Sequence, residues 1–117
     1  MVVKTGILSP RVTDSPKSIN ADPLILFDKN SVESISHVIT TGPECSNVFI
    51  EAFNLDDVEI VIQRVGGPGS GEWFNNYRVL TGDDPLVRLA IPGRWRAIVK
   101  PEYEKDLGKF FVHVVGL

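Results

Sequence analysis

From Pro23 onward the chain alternates short apolar segments with turn signals, and within most segments apolar and polar residues take turns. That period of two is the mark of strands, whose side chains point alternately to opposite faces of a sheet. Leu24–Phe27 is a continuous apolar run that stops at Asp28-Lys29-Asn30, and Ile35–Thr40 alternates up to Gly42-Pro43. Asn47–Phe53 sets Val48, Ile50 and Ala52 against Phe49, Glu51 and Phe53; Val58–Val65 sets Val58, Ile60 and Ile62 against Glu59, Val61 and Gln63. After Gly66–Gly71, Trp73–Leu80 groups Trp73, Tyr77 and Val79, with Asn76 and Arg78 outward. Leu86–Ile91 aligns Val87, Leu89 and Ile91, and Arg94–Lys100 aligns Trp95, Ala97 and Val99. Lys109–Leu117 is the last strand. No stretch carries a sustained stripe at the helical period; Ser31–Ser36 and Tyr103–Leu107 have room for single helical turns only.

The pattern predicts an all-β, antiparallel two-sheet β-sandwich of about eight strands, jelly-roll or immunoglobulin-like. Its expected core is Val58, Ile60, Ile62, Val87, Leu89, Ile91, Trp95 and Val99, the apolar phase of three strands. Residues 1–23 read differently. Pro10, Pro16 and Pro23 interrupt sparse apolar positions, which predicts an extended N-terminal arm with one short strand near Val2–Leu8, followed by the sandwich over residues 24–117. So Pro-, Ser- and Asp-rich a segment does not offset its own ordering cost, roughly 1–2 kcal/mol per residue. Val3, Ile7 and Leu8 are therefore expected to bury themselves against another chain.

Composition narrows function by exclusion. The formal net charge of −3 over 117 residues gives no general pull toward nucleic acid or anionic lipid. No apolar run approaches the roughly 18 residues needed to span a bilayer. The single cysteine, Cys45, excludes an intramolecular disulfide and any multi-cysteine zinc site. The first residues lack the apolar centre of a secretory signal, so synthesis in a reducing cytoplasm is expected.

Candidate chemistry is thin. His37 and His113 fall in separate strands with no ligand-spaced Cys, Asp or Glu beside them, and no metal or cofactor is expected. Asp56-Asp57 and Asp83-Asp84 sit in turns, where Asp serves backbone hydrogen bonding, and Glu102, Glu104 and Asp106 cluster in a charged loop. Gly66–Gly71 lacks the Lys-Ser/Thr and helix that a phosphate loop requires. No catalytic residue emerges, and the chain is expected not to be an enzyme. Trp73 and Tyr77, four apart on one strand, could form a sugar-stacking platform, although the core accounts for them better.

Two features point to protein contacts. Arg78, Arg88, Arg94 and Arg96 occupy outward positions on three consecutive strands, suited to carboxylates on a partner if those strands are neighbours. The last strand is apolar on both sides, with Phe110, Val112 and Val114 facing one way and Phe111, Val115 and Leu117 the other. A two-layer sandwich has no third layer, so the outer set needs a cover, from the N-terminal arm or from another chain.

The Pro-rich arm Val3–Pro23, the strand–turn–strand LVRLAIPGRWRAIVKP and the terminal KFFVHVVGL together resemble the small β-sandwich cement or decoration proteins of tailed bacteriophage heads. The resemblance is architectural. It implies a non-enzymatic virion structural protein on the capsid surface, binding the major capsid protein or copies of itself, with no nucleic acid or membrane partner. The partner-binding residues expected on all these grounds are Val3, Ile7, Leu8, Arg78, Arg88, Arg94, Arg96, Phe111, Val115 and Leu117. A carbohydrate-binding or adhesin-like sandwich module is the alternative.

Overall fold

The computed structural model describes residues 24–43, 47–67 and 72–116. The expected arm with its Val2–Leu8 strand, the contacts of Val3, Ile7 and Leu8, and Leu117 lie outside them. Eight antiparallel strands follow in chain order: β1 (Ile25–Phe27), β2 (Ile39–Thr41), β3 (Val48–Phe53), β4 (Ile60–Gly66), β5 (Trp73–Leu80), β6 (Leu86–Arg88), β7 (Gly93–Val99) and β8 (Phe111–Gly116). A 3-10 helix, Pro101–Asp106, joins β7 to β8 and begins on a proline, whose fixed φ suits a first helical position.

The strands form two four-stranded sheets, ordered β1-β8-β3-β6 and β2-β7-β4-β5. β1 pairs with β8, β2 with β7, β3 with β6 and β4 with β5. The chain is thus one long antiparallel ribbon, its tip between β4 and β5, wound so that successive strand pairs alternate between the sheets. This is a jelly roll, which settles the choice between the two expected topologies.

Side chains of the two inner faces make the core. Ile50, Val112, Val114 and Val87 from one sheet meet Ile39, Ile60, Ile62, Ala97 and Val99 from the other, all at most 4 % exposed. Phe27 and Phe110 meet edge to face, ring centroids 5.8 Å apart. Trp95 is fully buried, and its indole N–H donates to Thr41 Oγ1 at 3.0 Å. The Gly93 N–H donates to the same oxygen at 3.1 Å, and the one polar side-chain atom of Trp95 is thus matched within the core.

Seven of the eight expected core residues are buried. Ile91 is not, at 41 % exposed, because β6 ends at Arg88 and the chain leaves the sheet before Pro92. Ser31–Ser36 forms no helical turn; Ile35 instead bridges Ile98, and the regular part of β2 starts only at Ile39.

Candidate interaction surface

The outer face of the β1-β8-β3-β6 sheet is built from opposed pairs. Phe53 lies opposite Phe111, Glu51 opposite His113 and Phe49 opposite Val115. Ile25 of β1 flanks His113 on one side, while Leu86 and Arg88 of β6 flank Glu51 and Phe49 on the other. Phe53 and Phe111 sit with ring centroids 6.1 Å apart. The His113 ring closes a triangle with them, 5.5 Å from Phe53 and 5.2 Å from Phe111. His113 Nε2 is 3.1 Å from Glu51 Oε1, so this polar pair, with Arg88 at the β6 edge, sits among the apolar side chains of the face. Phe53 is 43 % and Leu86 44 % exposed. An outer face in a two-layer sandwich ordinarily meets water with polar side chains. This one presents aromatic and aliphatic groups, the pattern of a contact surface.

The expected arginine stripe does not form, because β6 belongs to the other sheet. Arg88 lies on the aromatic face, opposite Phe49. Arg94 and Arg96 project from β7 on the outer face of the β2-β7-β4-β5 sheet, opposite Val65 and Gln63. Arg94 pairs with Glu72 at 3.0 Å. The Arg96 guanidinium lies 3.6 Å from the Phe74 ring centroid and donates to Gln63 Oε1 at 2.9 Å. Partial burial lowers the pKa of Arg96 and Glu72 opposes that shift, yet a guanidinium keeps its charge at any ordinary pH. Arg78, at the edge, is held by Asp84 at 3.1 Å. These arginines serve separate surfaces.

The placement of Trp73 and Tyr77 in the core is corrected. Ile62 lies opposite Arg78 while the next β4 residue, Gln63, lies opposite Asn76, leaving Tyr77 as an extra residue in β5. This β-bulge reverses the alternation beyond it, so Val79 turns to the outer face opposite Val61. Tyr77 caps the rim of the core, edge-on to Trp95 at 4.8 Å and 36 % exposed. Trp73 is 44 % exposed, its indole laid over Gly66. A Cβ at residue 66 would fall 1.9 Å from the Trp73 ring. Gly66→Ala is therefore expected to swing the exposed indole away at a cost of about 1 kcal/mol or less, within the range for surface changes that strain one side chain. Increased acrylamide quenching relative to wild type, absent in a Trp73→Phe background, checks this.

Asp56-Asp57 and Asp83-Asp84 lie in turns, whereas Glu102, Glu104 and Asp106, expected in a loop, lie in the 3-10 helix. Asn54 and Asp56 take left-handed backbone in the β3–β4 connection, a conformation these residues accept. Thr81 and Asp84 close the β5–β6 turn through reciprocal backbone bonds of 3.1 Å. His37 precedes β2 in one sheet and His113 lies on the outer face of the other. Among the described residues no group of three or more His, Cys, Asp or Glu could hold a metal ion, and no helix is long and apolar enough to cross a membrane. Elsewhere Lys100 is bound to Glu59, and that hydrogen bond raises its pKa.

Comparison with family models, with characterised proteins and with solved structures finds no match for the chain.

Proposed function

We propose that the protein is a non-enzymatic virion component that decorates a bacteriophage head, docking on major capsid protein subunits through the outer face of the β1-β8-β3-β6 sheet. The observation that carries this reading is the aromatic and aliphatic surface around Phe53, Phe111 and Leu86, on a sheet that no third layer covers among the described residues. Docking buries what the two rings still expose, 43 % of Phe53 and a smaller part of Phe111, roughly 100–150 Å² of apolar area at about 25 cal/mol per Å². The Glu51–His113 pair and Arg88 supply the polar contacts that fix orientation. The sequence resemblance supports the choice of partner. The jelly roll agrees with it but also serves lectins and enzymes, so the fold alone does not argue function.

The test is co-sedimentation of the purified protein with phage heads from which it has been stripped. Saturable binding at a fixed number of copies per head is expected; no binding to heads at any concentration overturns the proposal.

The carbohydrate-binding reading has one observation in its favour, the exposure of Trp73 and Tyr77 on one strand. A glycan array read against Trp73→Ala separates it. Specific glycan binding lost in that variant supports the sugar reading, and equal signals from both proteins reject it.

A further inference from the structure

We infer, on the basis of the docking proposed for the outer face of the β1-β8-β3-β6 sheet, that this docking takes up a proton at the Glu51–His113 pair. Attachment is then strongest at mildly acidic pH and weakens as the pH rises.

The pair lies in the middle of the face. Glu51 on β3 and His113 on β8 are direct cross-strand partners, with Phe53 and Phe111 in the next outward row on one side and Phe49 and Val115 on the other. His113 Nε2 is 3.1 Å from Glu51 Oε1, and the imidazole packs on both phenylalanine rings. The two side chains are 29 % and 37 % exposed, so water still reaches both. Their outer neighbours, Ile25 of β1 beside His113 and Leu86 of β6 beside Glu51, carry no charge. Arg88 stands two residues beyond Leu86 at the β6 edge, opposite Phe49, and no ion pair joins it to Glu51. Lys109, ahead of β8, is held by Asp106.

A surface that packs on Phe53 and Phe111 also displaces water from the row beside them. While water is present, it solvates the carboxylate whichever form the imidazole takes. Once it is gone the two forms differ. A neutral imidazole leaves a full negative charge in the interface, and an uncompensated buried carboxylate is strongly unfavourable. An imidazolium makes with the same carboxylate an ion pair of no net charge, joined by a charge-assisted hydrogen bond. The protonated pair therefore loses less free energy on being covered. Histidine is the side chain suited to such a step, because its charge changes between about pH 5 and 8. Arg88 stays charged throughout that range and adds no titration of its own. A proton held more tightly in the docked than in the free protein is taken up on docking. Affinity is then full at low pH and is lost as pH rises through the histidine range, by up to about tenfold per pH unit for one proton.

Titration of the full chain against stripped heads from about pH 5.5 to about pH 8.5, at constant ionic strength, tests this. His113→Gln is the reference, since its amide can hydrogen-bond to Glu51 but does not titrate. Groups on the capsid titrate alike with every variant, so differences between profiles belong to the pair. Across the range the wild-type Kd should rise at least about tenfold more than that of His113→Gln. Glu51→Gln removes the charge that favours the imidazolium, so covering the ring favours its neutral form. Its Kd should therefore fall with pH relative to the same reference. Both positions lie on the outer face, and circular dichroism at each pH verifies that the variants keep the fold. A wild-type profile parallel to that of His113→Gln overturns the inference and leaves the docking standing. So does a Glu51→Gln profile parallel to that of the wild type. No wild-type binding at any pH overturns the docking itself, and the inference with it.

Discussion

Trp95→Ala should lower stability by about 3–5 kcal/mol, the range for removing a large buried aromatic. Trp95 is fully buried, and its indole N–H is one of two donors to Thr41 Oγ1. The substitution opens a cavity between the sheets and takes from that hydroxyl one of its donors. It also removes the ring against which Tyr77 closes the rim of the core. In a domain whose total stability is on the order of 5–15 kcal/mol, such a loss lowers the melting temperature by roughly 15–30 °C. Urea unfolding checks it: the midpoint should fall steeply with an unchanged m value. A variant within 1 kcal/mol of wild type would mean that Trp95 is not the centre of the packing. Trp95→Phe keeps most of the volume and loses the hydrogen bond, so it should fall between the two.

The second large effect concerns binding. On the proposed docking, Phe53→Thr/Phe111→Thr should weaken attachment to capsid by about 100-fold or more, because buried aromatic anchors each contribute on the order of 2 kcal/mol at an interface. Threonine suits a strand and both positions lie on the outer face, so the fold should persist with a loss of about 1–2 kcal/mol for the cross-strand aromatic contact. Titration of the double variant against stripped heads, with unfolding curves alongside, separates lost docking from lost structure. Unchanged affinity would remove the aromatic face from the account.

How far the sequence could be read depended on whether a feature was local. The alternation of β3 and β7 is regular, and Ile50, Trp95 and Val99 are in the core as their phase predicts; so are Ile60 and Ile62 of β4, although Val61 and Val65 of the opposite phase are buried there too. The last strand announced two apolar sides, and Phe110, Val112 and Val114 are indeed the buried ones. The alternation failed in β5, where Trp73-Phe74-Asn75-Asn76-Tyr77 gives no sign of an inserted residue. A bulge is set by the pairing with β4, not by the strand's own composition.

The same limit applies to the candidate site. Phe111 and Val115 could be named from β8 alone, whereas their meeting with Phe53 and Phe49 depends on β3 lying beside β8 across some sixty residues of chain. The arginines failed for the mirror reason. Consecutive strands β5, β6 and β7 suggested one surface, but a jelly roll sends successive strand pairs to alternate sheets and separates Arg88 from Arg94 and Arg96.

The most direct measurement is an electron cryomicroscopy map of stripped heads re-decorated with the protein. Capsid side chains packed on Phe49, Phe53, Phe111 and Leu86 are the expected result. A map in which the protein sits on the head with that sheet face turned to solvent would contradict it.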